Sequence, residues 1–270
     1  MTRKDSSVAF VTGASSGIGL VVAQSLAKAG YRVFGTSRKP VPDSPGVTML
    51  VCDVTSQISV DQAVETIVNQ AGRIDLVVNN AGVGLLGGAE ESSIAQAQRL
   101  FDVNVFGVAR VVNAVLPIMR RQKGGRIVNM SSILGVIPSP FNAFYASTKH
   151  AIEGYSESLD HEVREFGVRV VLVQPGVTRT AFEENLTRAD QPIAAYDAAR
   201  SRSEALMRQW VEVGDAPQVV ADAVVKAAGA ATPRLRYPAG KQANQVGALR
   251  RLVPSAAFDK VIRKFNGFAT

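Results

Sequence analysis

The sequence predicts an α/β fold, a doubly wound parallel sheet with helices on both faces. Three observations predict it. Short apolar runs alternate with longer helical patterns along the first two-thirds of the chain. Several of the runs are almost continuous Val, Ile and Leu, as strands buried on both faces require. A glycine-rich turn, TGASSGIG at 12–19, joins the first run to the first helical pattern. The 270 residues carry no internal repeat, low-complexity stretch or linker, so a single domain spanning 1–270 accounts for them.

The strand candidates are SVAFVT (7–12), YRVFGTS (31–37), VTMLVCD (47–53), IDLVVNN (74–80), RIVNMSS (126–132) and VRVVLVQ (168–174), with PRLRYPAG (233–240) as a last short one. Helical patterns cover 17–29, 57–71, roughly 93–121, 143–166 and 215–229. In such sheets ligands bind at the carboxyl ends of the strands, where the connections diverge. Residues 181–213 are polar and helix-prone without a clear strand, an excursion that reads as a lid over the site. Residues 240–270 form a C-terminal capping segment, whose basic amphipathic stretch 245–266 is interrupted at Pro254.

Composition narrows the class. Apolar residues make up 46% and charged residues 20%, the balance of a globular protein. The net charge of +7 admits an anionic partner, but no run of five like charges appears, so no nucleic-acid role is expected. The one cysteine, Cys52, excludes an internal disulfide and fits a reducing, cytoplasmic setting. The apolar stretch in MTRKDSSVAFVTG is too short for a signal peptide, and no segment has 18 uninterrupted apolar residues, so no membrane span is expected. The only histidines, His150 and His161, are eleven apart on one helix with no cysteine partner, so no metal is expected.

The turn at 12–19 places Gly13, Gly17 and Gly19 after a strand and at the opening of a helix. Glycine permits positive φ and close backbone approach, and the N–H groups of the helix start, with Ile18 among them, face an anion such as a pyrophosphate. Ser15 and Ser16 add hydroxyl donors. A tight strand–helix corner that holds nothing has the same pattern. The end of the second strand selects the dinucleotide: an acid there would bond the ribose 2′-OH of NAD. Ser37, Arg38 and Lys39 stand there instead and suit a 2′-phosphate, so NADP(H) is expected over NAD(H).

The ordered set TGASSGIG, CDV (52–54), NNAG (79–82), FDVNVFG (101–107), IVNMSS (127–132), YASTK (145–149) and PGVTRT (175–180) resembles the short-chain dehydrogenase/reductase family, in its shorter, non-extended branch, over residues 6–180. The resemblance implies a Rossmann-type sheet and a set of roles. Asp53 and Val54 flank the adenine. Asn79, Asn80, Ala81 and Gly82 line the adenosine ribose side. Pro175, Gly176, Thr178 and Thr180 lie beside the nicotinamide. Asn104 kinks its helix and helps hold a water in a proton relay. Ser132, Tyr145 and Lys149 form the catalytic set, with Ser132 preferred over Ser131 by its interval to Tyr145. Helices 93–121 and 143–166 resemble those through which family members form homodimers and homotetramers.

The chemistry suits these residue types. Tyr145 and Lys149 are four apart, hence on one helix face. A phenol with an ordinary pKa of about 10 becomes a useful acid or base only when a neighbouring charge lowers it, which Lys149 is expected to do. Ser132 is expected to polarise a substrate oxygen. Ile133, Leu134, Val136, Phe141 and Phe144, with Met207 and Trp210 as candidates, are mostly apolar and favour a lipophilic alcohol or carbonyl compound. As residues of a docked helix, Met207 and Trp210 serve equally as packing. The basic C-terminal section admits at most a weak peripheral membrane contact. Two other functions fit the same motifs: a 3-oxoacyl-thioester reductase, and a non-catalytic NADP-binding regulator.

Overall fold

The architecture is that of a computed structural model, which describes residues 7–182 and 185–268. Residues 1–6, 183–184 and 269–270, parts of the expected domain, excursion and C-terminal segment, lie outside the described residues. Seven strands form the central sheet: β1 (Val8–Val11), β2 (Arg32–Ser37), β3 (Val47–Val51), β4 (Leu76–Asn79), β6 (Gly125–Met130), β7 (Val168–Pro175) and β9 (Arg236–Ala239). Their order is β3-β2-β1-β4-β6-β7-β9, and every pairing is parallel. The chain winds outward from β1 to β3 and then returns to β4 on the other side of β1. That reversal opens a crevice between the ends of β1 and β4.

Helices cover both faces. On one, α2 (Gln57–Ala71), α4 (Gly107–Gln122) and α5 (Ala143–Val163) enclose a core that includes Phe10, Phe34, Ile67, Val111, Met119 and Ile152. On the other, α1 (Gly17–Lys28) and α7 (Pro217–Gly229) bury Val22, Leu26, Val220 and Val224 against the same sheet. The helix boundaries follow local chemistry. Ser56 accepts a bond from Ser59 N to open α2, and Gly72, at φ 73°, closes it. Pro217 takes the first turn of α7, where a missing N–H costs nothing.

The expected helix 93–121 is α3 (Ile94–Phe101) and α4 joined by a π-helical turn, Asp102–Phe106. The run Ile94–Gln122 is long and apolar enough to cross a membrane by length and composition. Its apolar residues Val108, Val111, Val112, Val115 and Met119 instead pack into the sheet core.

The excursion departs from expectation. It contains α6 (Asp197–Glu212) and a two-residue strand, β8 (Thr187–Arg188), which pairs with another, β5 (Leu85–Leu86). Two residues are too few to leave a periodic signal in a sequence. The C-terminal segment is α8 (Lys241–Leu252) and α9 (Ser255–Phe265), broken at Pro254. Ala243, Phe258 and Ile262 from these helices enclose Ile133 and Ile137 in a separate apolar cluster.

Asp160 ties α5 to β7. It is 2% exposed and accepts bonds from Arg169 Nε (2.8 Å), Arg169 Nη2 (3.1 Å) and Val170 N (2.8 Å), and it pairs with Arg164. Burial pushes its carboxyl up, but these donors outweigh burial and hold it at about 2. Asp160→Asn should lower stability by about 2 kcal/mol, the scale of hydrogen bonds to a charged group, measured as a urea midpoint at neutral pH. The folded-state value lies below the unfolded one of about 4, so the advantage over the variant is full above that pH. It should shrink as the pH falls from about 4 towards 2, and a difference that persisted unchanged would count against this account.

Candidate active site

The site forms where the loops after β1, β4, β6 and β7 converge. Gly13 (φ 66°) and Gly17 (φ 55°) both adopt the left-handed region. A side chain at Gly19 would collide with the Gly13 carbonyl and the Asn80 amide. Ser15 and Ser16 are exposed, and Ser16, at the N-cap of α1, makes no side-chain cap bond. The first turn of α1 carries no acid. Ile18 packs partly against the core under α1.

The loop after β4 braces this turn. Thr12 Oγ1 accepts from Asn80 N and Ala81 N, both at 3.0 Å. Asn80 Nδ2 donates to the carbonyls of Thr12 (3.0 Å) and Gly13 (3.1 Å). The Asn80 side chain therefore shapes the turn from behind. The expectation for Asn79 needs correction. Its side chain is buried and bonds Asn129 Oδ1 at 2.8 Å, and Asn129 in turn donates to Ser156 Oγ at 2.8 Å. Strand alternation sends Asn79 into the face under α5 rather than to a ribose.

At the ends of β2 and β3, Arg38 and Lys39 are exposed, and Ser37 Oγ accepts from Lys39 N at 3.4 Å. Asp53 Oδ1 accepts from Thr55 N (2.9 Å) and Oγ1 (2.8 Å). The bond from Thr55 N is the largest influence holding that carboxyl below its usual value, and the Arg38 charge adds to it. Arg38 and Asp53 thus share one corner of the crevice. The Val54 side chain is buried against Gly107, so only its backbone can border a ligand there.

The loop after β7 closes the opposite side. Gly176 N donates to Ala239 O at 3.2 Å, holding the residue after Pro175 to β9. Val177 N donates to Gln242 Oε1 at 3.2 Å. Arg179 N and Val177 O both pair with the Asp215 backbone, which leaves the N–H and C=O of Thr178 on the other edge. The Thr180 side chain approaches Gly17, bringing this loop over the glycine turn.

Lys149 and Tyr145 share one face of the first turns of α5. Lys149 Nζ donates to Met130 O at 2.9 Å and lies 5.6 Å from the centre of the Tyr145 ring. Ser132 follows the end of β6. Its Oγ accepts from Leu134 N at 3.1 Å and is hydrogen-bonded with the Tyr145 hydroxyl. Ser131 is buried beside Gly135, and both serines lie beyond the strand. Asn104 sits in the π-helical turn, 2% exposed. Its Oδ1 accepts from Val83 N and its Nδ2 donates to Val83 O, each at 2.9 Å, and Nδ2 also reaches Thr148 Oγ1 at 3.2 Å. Gly82 lies against the Asn104 amide oxygen, where a Cβ would stand 3.3 Å away.

Electrostatics alters one expectation. Burial pushes the Tyr145 phenol up from its usual value, and the bond with Ser132 opposes this only in part. Burial also lowers Lys149 to about 8, with the Glu153 charge opposing the fall. Lys149 therefore does not lower the phenol in the protein alone, because its ammonium is turned to Met130 O and is itself desolvated.

The excursion supplies a residue that patterning missed. Phe182 leans on the Tyr145 ring at 5.9 Å between centroids, and Leu186 and Phe182 both press on Gly84. Phe141, held at φ 60°, packs edge-on against Tyr196 at 6.3 Å. Buried Glu91 anchors the segment: it accepts from Gly88 N (2.8 Å) and Ile193 N (2.9 Å) and pairs with Arg200. Two of the residues weighed for the pocket pack against the C-terminal helices. Ile133 is enclosed by the C-terminal helices, and Trp210 stacks on Phe265 at 4.6 Å, which is packing. Leu134 and Val136 pack partly against the same C-terminal cluster.

Residues 7–191 match the family model described as short chain dehydrogenase. The chain belongs to the short-chain dehydrogenase family. It is 41% identical over 235 residues to a 3-ketodihydrosphingosine reductase of Bacteroides thetaiotaomicron, covering 86% of this chain and 87% of the relative. It is 37% identical over 270 residues to retinol dehydrogenase 8 of Bos taurus, covering 92% and 86%. A short chain dehydrogenase/reductase from Burkholderia phymatum, solved in complex with NAD, superposes with TM-score 0.79 at 26% identity over 98% of this chain and 97% of that one. ElxO with NADP bound superposes with TM-score 0.72 at 25% identity over 86% and 97%.

This short-chain dehydrogenase is an oxidoreductase that takes a nicotinamide cofactor. Its own residues fit one. The helix start at Gly17 is uncapped and free of acids, and a Cβ there would touch only the Thr180 side chain, in van der Waals contact at 3.8 Å. Gly19→Ala should push the Gly13 carbonyl and the Asn80 amide out of place. The expected result is a rise of at least about tenfold in the dissociation constant for the reduced cofactor, followed by its fluorescence. Unchanged affinity would show that the turn is not the cradle.

Proposed function

We propose that this oxidoreductase interconverts a carbonyl and an alcohol on a lipophilic substrate, with NADP(H) preferred over NAD(H). The observation that carries the reading is the meeting of Ser132, Tyr145 and Lys149 at the sheet end beside the glycine turn. When bound, the reduced nicotinamide supplies a hydride to the carbonyl carbon. Tyr145 gives its hydroxyl proton to the carbonyl oxygen, and in the reverse direction takes it back. A phenol kept protonated by burial is suited to the donor role. Ser132 donates to the same oxygen, where negative charge grows. Lys149 contributes a positive charge that favours the phenolate left behind, and it can bond the nicotinamide ribose. That charge is present below about pH 8, so the reductive rate should decline above it.

Lipophilic substrates are favoured by Phe182 packed on the Tyr145 ring and by the Phe141–Tyr196 pair that joins the excursion to the loop before α5. The names of the two relatives, a 3-ketodihydrosphingosine reductase and a retinol dehydrogenase, point the same way. We read the segment 181–213 as a substrate-side cover and 240–270 as a cap behind it. The lone buried Cys52 supports a reducing, cytoplasmic compartment. The exposed Ile94 at the start of α3 and Phe106 at the end of the π-turn support assembly into a homodimer or homotetramer.

Absorbance loss of NADPH or NADH with lipophilic ketones, aldehydes and acyl-thioesters tests the reading. Tyr145→Phe should bind cofactor nearly normally and lose at least about 100-fold in turnover, the lower end of what a positioned acid contributes. Normal turnover in that variant would overturn the role of Tyr145, whereas wild-type protein that binds cofactor but turns over no compound of the panel would be a non-catalytic cofactor-binding protein. Arg38→Asp should raise the KM for NADPH while leaving or improving that for NADH. Wild-type preference for NADH would overturn the cofactor assignment.

A further inference from the structure

Lys149, Glu153 and Glu157 follow one another at one-turn intervals along α5. Glu153 is 6% exposed, unusual for a carboxylate without partners. It has them on two other elements. Oε1 accepts from Gln174 Nε2 of β7 at 2.9 Å, and Oε2 accepts from Arg236 Nε of β9 at 2.8 Å. Arg236 Nη2 continues to Glu157 at 2.7 Å. A Cβ at Gly135 would stand 3.1 Å from Glu153 Cγ and 3.2 Å from Lys149 O, and would touch Ser131 Oγ. Glu153 is therefore wedged among α5, the loop that carries Ser132, and the ends of β7 and β9. A guanidinium and an amide donating to its two oxygens are the partners of a carboxylate, not of a neutral acid.

We propose that Glu153 is a positioning residue for Lys149: its buried negative charge, held in place by Arg236 and Gln174, keeps the ammonium charged beneath Tyr145. The inference rests on the catalytic reading above, since only there does the charge of Lys149 matter to the rate. The need for such a partner is plain. Burial lowers Lys149 to about 8, and the Glu153 charge is the influence that opposes it. Around Lys149 are the Tyr145 phenol and Glu153 on its own helix and the Met130 carbonyl on β6, while Gln174 on β7 and Arg236 on β9 stand against the Glu153 carboxylate. Among these Glu153 is the anion, one turn along α5 from Lys149 and buried like it. Arg236 draws on the same carboxylate, so it moderates as well as anchors. A purely structural staple between α5 and β9 would need the same bonds but would not move the titration of Lys149.

The test is a pH titration of the Lys149 Nζ resonance in protein labelled with 15N-lysine, assigned by its loss in Lys149→Arg. The same preparations yield pH–rate profiles with the best substrate of the panel. Glu153→Gln should move the Lys149 midpoint down by about one pH unit, the low end of the effect of a close opposite charge, and the alkaline fall in rate should move with it. Glu153→Asp, which keeps the charge, should restore most of the wild-type midpoint. An unchanged midpoint in Glu153→Gln protein that unfolds cooperatively would overturn the proposal, as would a shifted midpoint with an unmoved rate profile. Should Glu153→Gln fail to fold, Arg236→Gln carries the test. It removes the competing cation, so the midpoint must rise, and a static or falling midpoint overturns the proposal. The resonance is read without substrate. Active Tyr145→Phe would therefore remove the catalytic reading, while an unmoved Lys149 midpoint would remove only the role of Glu153.

Discussion

The bond from Lys149 Nζ to the Met130 carbonyl is the constraint on which the site depends. Met130 ends β6, and Ser132 stands two residues beyond it. Lys149 stands one turn after Tyr145 on α5. One buried contact therefore sets the strand end that carries Ser132 against the helix face that carries Tyr145. A buried ammonium needs such an acceptor, because leaving it unpaired costs several kcal/mol or drives it to neutrality. The remaining polar groups in that layer are arranged to accommodate it. Glu153 lies a turn further along, while Asn129 and Ser156 satisfy one another beside it.

A second brace sets the cofactor side. Thr12 and Asn80 stitch the loop after β1 to the loop after β4 across the crevice where the sheet topology reverses. The brace uses side chains so that the backbone N–H groups at the start of α1 stay directed outward. Asn104 does the comparable work one layer away, clasping Val83 in both directions from within a π-helical turn. Both asparagines act at a distance from the chemistry, by holding backbone in conformations that it would not keep alone.

The excursion over the site is held more firmly than its polar sequence suggests. Glu91, Asp190 and Gln96 bond it to α3 and the loop before it. Its aromatic side chains, Phe182 and Tyr196, then lie against Tyr145 and Phe141. Polar residues latch the segment, and apolar ones face the site.

The sequence by itself determined the sheet, the helices and the place of the site. Strand burial and helix amphipathicity are local patterns, and the motifs TGASSGIG, IVNMSS and YASTK occur within single strand–loop or helix segments. Arg38 and Lys39 were legible for the same reason, as residues at the end of a recognisable strand. Only the tertiary structure decided what depends on contacts between distant segments. It turned Asn79 into the core and Asn80 to the glycine turn, although the two are neighbours. It enclosed Ile133 beneath α8 and α9, brought Phe182 onto Tyr145, and closed Arg236 onto Glu153 across 83 positions. It also raised the Tyr145 phenol where residue spacing predicted a lowered one, because desolvation depends on everything packed around a group. Spacing along a helix records neighbours on that helix and nothing of what the other elements bury.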